Sequence, residues 1–235
     1  MGACGERRCR PWQAPDRCTM LKLDLGINGR ALRLLCLGAH SDDLEIGCGG
    51  TVLEWLSAHA RVEVTWVVMS ATGQRAHEAQ RSAGALLRGA SRKKIVLHGL
   101  PDGHFPVHFG EAKQAFEDLK AAERPDVIFS HRLEDRHQDH RLLAELAWQT
   151  WRSHLILEYE VPKYEGDLGQ PNLFVPVSAR IGKRKVEHLM RHFASQRSRA
   201  WFAPTTFFGL MHLRGVECRA PSGFAEAHHL RKAVL

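Results

Sequence analysis

Two clusters of histidine and carboxylate side chains stand about a hundred positions apart in this chain. The first is His40-Ser41-Asp42-Asp43, and the second is Asp135-Arg136-His137-Gln138-Asp139-His140. Imidazole and carboxylate are the donors of catalytic zinc sites, where three protein ligands leave a fourth position for water. Such an ion can hydrolyse an amide at neutral pH, because it brings the pKa of its water down to about 7 and polarises the carbonyl. His137 and His140 are three apart, so they share a face once a first helical turn has begun. One histidine taken alone reads as a structural polar residue. Five candidates in two blocks, His40, Asp42, Asp43, His137 and His140, reverse that preference.

The flanking sequence says what positions them. Leu34-Leu35-Cys36-Leu37 is a short apolar run that reads as a buried parallel strand ending at Gly38-Ala39. Gly47, Gly49 and Gly50 then open an amphipathic segment with Val52, Leu53 and Leu56 at helical spacing. Asp126 to Ser130 reads as another strand, and His140 to Trp151 as a helix. Between them lie strands at Val62–Met69 and Lys94–Leu97 and helices at Arg75–Leu87 and Glu111–Ala122. Leu155–Glu160 makes a fifth strand, and a loop at Gly166–Pro171 precedes Phe174–Val177. Helical patterns follow at Lys183–Phe193 and Thr205–Leu213. Alternation at this spacing predicts right-handed βαβ units, hence an α/β fold: a Rossmann-like three-layer α/β/α sandwich with a mostly parallel sheet in a single domain. Open sheets of that kind place their sites at the carboxyl ends of strands, where both clusters fall.

Ala39-His40-Ser41-Asp42-Asp43-Leu44-Glu45-Ile46-Gly47-Cys48-Gly49-Gly50 resembles the AHPDD signature of the LmbE-like (PIG-L) zinc-dependent N-deacetylases. Asp135-x-His137-x-Asp139-His140 resembles their second block, and the likeness runs from about Leu32 to Leu230. The resemblance, together with the spacing, implies His40, Asp43 and His140 as metal ligands for one Zn2+ per chain, although iron(II) or cobalt would accept the same donors. It implies Asp42 as the general base. It implies His137 as the group that stabilises the oxyanion or protonates the leaving amine. Asp139 is placed to orient a ligand histidine from behind; Asp135 could do the same or anchor its loop. Arg75-x-x-Glu78 and Leu100-Pro101-Asp102-Gly103 resemble the family's substrate elements. Arg75 would reach polar groups of the substrate and Asp102 would bind sugar hydroxyls. Glu226 and Gln196 are family-like positions that would help close the site. Ser41 departs from the usual proline, and a serine fits the same extended turn.

Composition bounds the remainder. A chain of 235 residues with 44% hydrophobic content can bury one sizeable core. No run of about 18 apolar residues exists, so no membrane span is expected. The net charge of +7 and pI near 9.3 come without a nucleic-acid motif and read as a solvated basic surface. The glycines at 47, 49 and 50 lack dinucleotide spacing and follow two carboxylates that would repel a pyrophosphate. Close helix-to-strand packing accounts for them better. Residues 1–19, with Cys4, Cys9 and Cys18, read as a disordered extension, with residues 20–235 as the deacetylase-like domain; Met20 is an alternative start. Cys36 and Cys48 read as buried hydrophobes in a reduced, cytoplasmic protein. His131 reads as structural, and His228-His229 as a surface pair on a helix. The sequence-level conclusion is a zinc hydrolase that removes the acetyl group from an N-acetylglucosamine-type sugar or glycoconjugate. The substrate is then a small acetylated molecule, with no nucleic-acid partner, and a homo-oligomer is compatible with the exposed sheet faces. The rivals are an amidase for another acyl or thiol conjugate, a non-catalytic metal or glycan binder, and a dinucleotide-dependent oxidoreductase.

Overall fold

The computed structural model describes residues 22–27 and 29–234. The amino-terminal extension, with its three cysteines, lies outside the described residues. Strand β1 (Leu32–His40) carries side chains of alternating destination. Leu32, Leu34 and Cys36 enter one apolar cluster, while Leu35, Leu37 and Ala39 enter the other. A strand apolar on both faces must be covered on both, which forces helices onto each side of the sheet. On one side lie α1 (Asp43–Gly47), α2 (Gly49–Ala58), α3 (Gly73–Leu86), α6 (Ala179–His192) and α7 (Pro204–Glu217). They contribute Leu44, Val52, Ala83, Leu189 and Met211. On the other side α4 (Phe109–Ala122) and α5 (Gln138–Thr150) contribute Phe116 and Leu143.

The remaining strands are β2 (Val62–Ser70), β3 (Arg92–Leu97), β4 (Val127–Ser130), β5 (Leu155–Tyr159), β6 (Leu173–Pro176) and β7 (Ala225–Leu230). Their order across the sheet is β3-β2-β1-β4-β5-β7-β6, with β1 to β5 parallel and β7 antiparallel to both its neighbours. This is the expected three-layer α/β sandwich. No helix among the described residues is long and apolar enough to cross a membrane.

Two local differences from the sequence reading matter for the site. The first helix begins at Asp43 rather than near Gly47, so only Ser41 and Asp42 separate β1 from α1. His228 and His229 belong to strand β7, not to a helix, and His228 is fully buried, its ring packed on Phe129 at 5.4 Å. The alternation of β7 points Glu226 and His228 inward, where their polar atoms find partners on α2: Glu226 accepts from the Gly50 and Thr51 N–H groups (2.7 and 2.6 Å), and His228 Nε2 meets Thr51 Oγ1 at 3.1 Å. Gly47 is required by close packing, as a Cβ there would sit 2.1 Å from the Tyr159 ring on β5.

Candidate active site

The two donor blocks meet where the chain order of the sheet reverses, at the carboxyl ends of the neighbouring strands β1 and β4. His40 is the last residue of β1; Asp42 is the N-cap of α1 and Asp43 its first residue. His137 is the N-cap of α5, and His140 lies in that helix's first turn. The start of α1 sends its two carboxylates in different directions. Asp43 turns to the histidines, and Asp42 turns to Arg75 on α3, whose Nη2 donates to its Oδ1 at 2.7 Å.

Three donor atoms form a nearly equilateral triangle. His40 Nδ1 lies 3.1 Å from His140 Nε2 and 3.3 Å from Asp43 Oδ2, and His140 Nε2 lies 3.4 Å from the same oxygen. A tetrahedral ion with bonds of about 2.0–2.1 Å holds its ligand atoms about 3.3 Å apart. The spacing therefore fits a small tetrahedral cation such as zinc, and the donor set of two imidazoles and one carboxylate fits its chemistry.

Each histidine is oriented from behind. His140 gives its Nδ1–H to Asp135 Oδ2 at 3.0 Å, which leaves the Nε2 lone pair facing the triangle. Burial and the neighbouring His131 hold the His140 pKa at about 3, so the ring is neutral. Asp135 in turn accepts from Lys163 Nζ at 3.1 Å; burial opposes its charge, but His140, His131 and Lys163 together keep its pKa low. His40 Nε2 faces Asp139 Oδ2 at 3.2 Å and Asp102 Oδ1 at 3.0 Å. Asp139 is itself held by the Gly103 and Phe105 N–H groups at 2.6 and 3.1 Å. Burial works against a charge on His40, yet Asp43, Asp102 and Asp139 raise its pKa well above the ordinary value.

Asp42 has one oxygen tied and one free. Its Oδ2 is buried and has no hydrogen-bond partner. Burial pushes its pKa up, with the Arg75 guanidinium pulling the other way and Asp43 adding to the rise. The His137 ring stands 4.9 Å from that of His40 and 4.6 Å from that of His140. Its Nδ1 accepts the Asp139 N–H at 3.3 Å, an arrangement that puts the ring proton of the neutral form on Nε2.

The structure brings His40, Asp42, Asp43, Asp102, His137, Asp139 and His140 together, with Arg75 joined through Asp42. Asp102 faces His40 with its side chain 75% exposed. Gln196 is not among the site's partners; its Nε2 donates to Ser195 Oγ, and Ser195 is bound to Glu78. Glu226 lies behind the site, accepting from Lys185 Nζ at 2.5 Å as well as from α2, and so secures the α1–α2 junction from the interior. Ser41, buried after β1, reaches Ser70 O at 3.5 Å.

His131, read from the sequence as structural with no partner named, finds its partners here. It is fully buried with its ring stacked 3.8 Å from that of His140, and its Nε2 lies 3.3 Å from Asp43 Oδ2. The Ala39 N–H donates to that same Nε2 at 3.0 Å, and Tyr159 Oη stands 3.0 Å away while donating to Leu37 O. His131 thus packs beneath two of the three triangle residues. A histidine at the end of a predicted buried strand was the available signal.

Residues 35–151 match the family model described as PIG-L, GlcNAc-PI de-N-acetylase. YaiS of Escherichia coli (strain K12), described as an uncharacterized deacetylase, is 28% identical over 172 residues, 68% of this chain and 89% of that protein. Among solved structures, N,N'-diacetylchitobiose deacetylase from Pyrococcus horikoshii is similar with a TM-score of 0.68 and 20% identity, over 88% of this chain and 86% of that one. The 4-carboxy-2-hydroxymuconate hydratase GalB from Pseudomonas putida KT2440 is similar with a TM-score of 0.70 and 15% identity, over 87% and 98%. A deacetylase and a hydratase on one scaffold mean that structural likeness speaks for the fold and leaves the reaction to the site. The family match spans both donor blocks and the elements from β1 to α5, and on it the chain belongs to the PIG-L (LmbE-like) deacetylase family.

Proposed function

We propose that this protein is a metal-dependent N-deacetylase that hydrolyses the acetamide of an N-acetylglucosamine-type sugar or glycoconjugate, releasing acetate and a free amine. The observation that carries the proposal is the donor triangle of His40, Asp43 and His140 beside the unpartnered Oδ2 of Asp42. Family membership and the deacetylase relatives, one of them acting on diacetylchitobiose, support the acetyl group and the sugar.

His40, Asp43 and His140 would hold the ion, with zinc the cation that best suits this donor set. When bound, zinc supplies an activated water and polarises the acetamide carbonyl. Asp42 Oδ2 takes the water's proton; burial makes this carboxylate a better base than a solvated aspartate, and Arg75 keeps Oδ1 from turning away. The N–H at Nε2 of His137 donates to the carbonyl oxygen as negative charge develops there. The proton held by Asp42 is then available to the departing amine. Asp139 and Asp135 keep the two ligand rings turned inward throughout. Asp102 and the second guanidinium nitrogen of Arg75, Nη1, which has no partner, are the groups placed to meet substrate hydroxyls.

The test is acetate release from a panel of N-acetylated sugars, set against other acyl and thiol conjugates, using zinc-loaded wild type and Asp42→Asn. The expected result is release from acetylated sugars by the wild type and a loss of about 10²–10⁴-fold in the variant at equal zinc content. Sugar binding without acetate release by either protein would replace the enzyme with a glycan-binding protein.

A further inference from the structure

Part of the net charge of +7 is gathered where α3 and α6 meet. On α6, Arg184, His188, Arg191 and His192 stand at a spacing that puts them on one side of the helix. His188 Nε2 lies 2.8 Å from Ser82 Oγ on α3, and the His188 and His192 rings pack with their centroids 4.3 Å apart. Burial lowers the His188 pKa to about 3, with His192, Arg184 and Arg191 pushing the same way. Burial, Arg191 and Arg81 lower that of His192. Two neutral imidazoles thus stand among the guanidinium charges of Arg81, Arg184 and Arg191, all three exposed. Among the described residues these three side chains have no hydrogen-bond or ion-pair partner. The nearby carboxylates are engaged elsewhere, Glu187 with Lys183 at 3.8 Å and the buried Glu45 with Ser82. Arg191, in the last turn of α6, meets the helix dipole; Arg81 and Arg184 have no such compensation.

The chemistry of this face narrows its partner. No large exposed apolar side chain among the described residues lies on α3 or α6, so the face offers no anchor to a bilayer or an apolar protein surface. Without an exposed aromatic ring it also lacks a platform for nucleic-acid bases. Guanidinium groups bind phosphate and carboxylate through paired N–H donors. Ser82 lies two helical turns beyond Arg75 on the same face of α3, which sets the cluster about 10 Å along the helix from the guanidinium that holds Asp42. We propose that Arg81, Arg184 and Arg191, with His188 and His192 between them, bind the phosphate or carboxylate of an anionic glycoconjugate whose acetylated sugar occupies the catalytic site. This inference rests on the deacetylase reading and names the substrate class: a glycan that carries negative charge away from the acetamide to be cleaved.

Chitin trisaccharides carrying a phosphate, a carboxylate (the aldonate) or neither at the reducing end test the proposal and separate the two anions. The variant is Arg81→Gln combined with Arg191→Gln, both exposed and outside the catalytic centre. With zinc-loaded wild type, kcat/KM for acetate release should be about tenfold or more higher for at least one charged trimer than for the neutral one, through KM. The advantage should vanish in about 0.5 M salt and in the double variant, while both proteins treat the neutral trimer alike. Equal kcat/KM for charged and neutral trimers, or an advantage that survives in the variant, overturns the anion site and leaves the deacetylase standing. No acetate release from any trimer sinks the deacetylase reading instead. Calorimetry then decides the site alone: it stands if the wild type binds a charged trimer more tightly than the neutral one and the variant does not, and falls otherwise.

Discussion

Asp135 offers the sharpest test of how the candidate metal centre is built, because it touches the ion only through another residue. Its Oδ2 accepts the His140 Nδ1–H at 3.0 Å, fixing the tautomer and aiming Nε2 at His40 and Asp43. Replacing it with asparagine keeps the volume and exchanges a charged acceptor for a neutral amide. Lys163 is not stranded by the change, since it also binds both oxygens of Asp167 at 2.6 and 2.8 Å. The fold should therefore survive, and the effect should concentrate on His140. Loss of a carboxylate behind a ligating histidine costs about 10–100-fold in metal affinity, equivalent to about 1.4–2.7 kcal/mol. A competition titration against a chelator of known zinc affinity reads this directly, with the unfolding midpoint of the metal-free protein measured alongside. Asp135→Asn should lose one to two orders of magnitude in zinc affinity with little change in the metal-free midpoint. Unchanged zinc affinity, or a loss that merely tracks global unfolding, would refute the argument that His140 is aimed by this carboxylate.

Arg75→Gln removes the guanidinium that holds the Asp42 pKa down against burial. The acid limb of the kcat/KM profile should move to higher pH, with activity along that limb falling by up to about tenfold for each unit of movement; an unmoved limb would separate Arg75 from the base. Glu45 is buried in α1, and burial raises its pKa from 4.5 to about 8. A carboxyl with a raised folded pKa contributes stability that is complete below pH 4.5 and lost as pH rises through about 8. At about 1.4 kcal/mol per unit that loss is limited to about 5 kcal/mol. Glu45→Gln should flatten this decline in denaturant melts recorded from pH 4.5 to 9, and a variant that declines as steeply as the wild type would assign it to other groups. Gly47→Ala puts a Cβ 2.1 Å from the Tyr159 ring. About 3 kcal/mol should be lost in chemical denaturation, and a near-neutral result would mean that α1 can shift away from β5 at little cost.

The first two-thirds of the fold was legible because its signals are local. β1 and β4 are apolar on both faces, and each runs directly into its chemistry at a strand end. The two donor blocks were visible for the same reason, since each sits within a few positions of the strand that carries it; choosing Asp43 over Asp42 and His140 over His137 as ligands rested on the family resemblance as well. The orienting contacts were only partly legible. Asp139 could be assigned to stand behind a histidine because it neighbours His140, but the ring it faces is His40. Asp135 was left between two roles that the structure combines: its Oδ1 accepts the His137 N–H and its Oδ2 accepts from His140 and Lys163.

The misreading of β7 and the unnamed partners of His131 have one physical cause. Polar side chains that face inward carry a hydropathy pattern that imitates exposure. Glu226 and His228 alternate with Ala225 and Ala227, so the strand reads as a polar, weakly periodic segment. Their polarity belongs to partners far away in sequence: the N–H groups at the start of α2 for Glu226, and the Thr51 hydroxyl and Phe129 ring for His228. His131 likewise takes its meaning from Ala39, Asp43 and Tyr159 on other elements. Burying such groups is costly unless their polar atoms are paired; Glu226 and the Nε2 atoms of His131 and His228 are paired, while Nδ1 of each histidine is buried without a partner. Their pairings cluster around α1 and α2, directly behind the two aspartates that the proposed chemistry needs. The polar interior that hides β7 from a reading of the sequence is therefore the same set of contacts that holds the candidate metal loop in position.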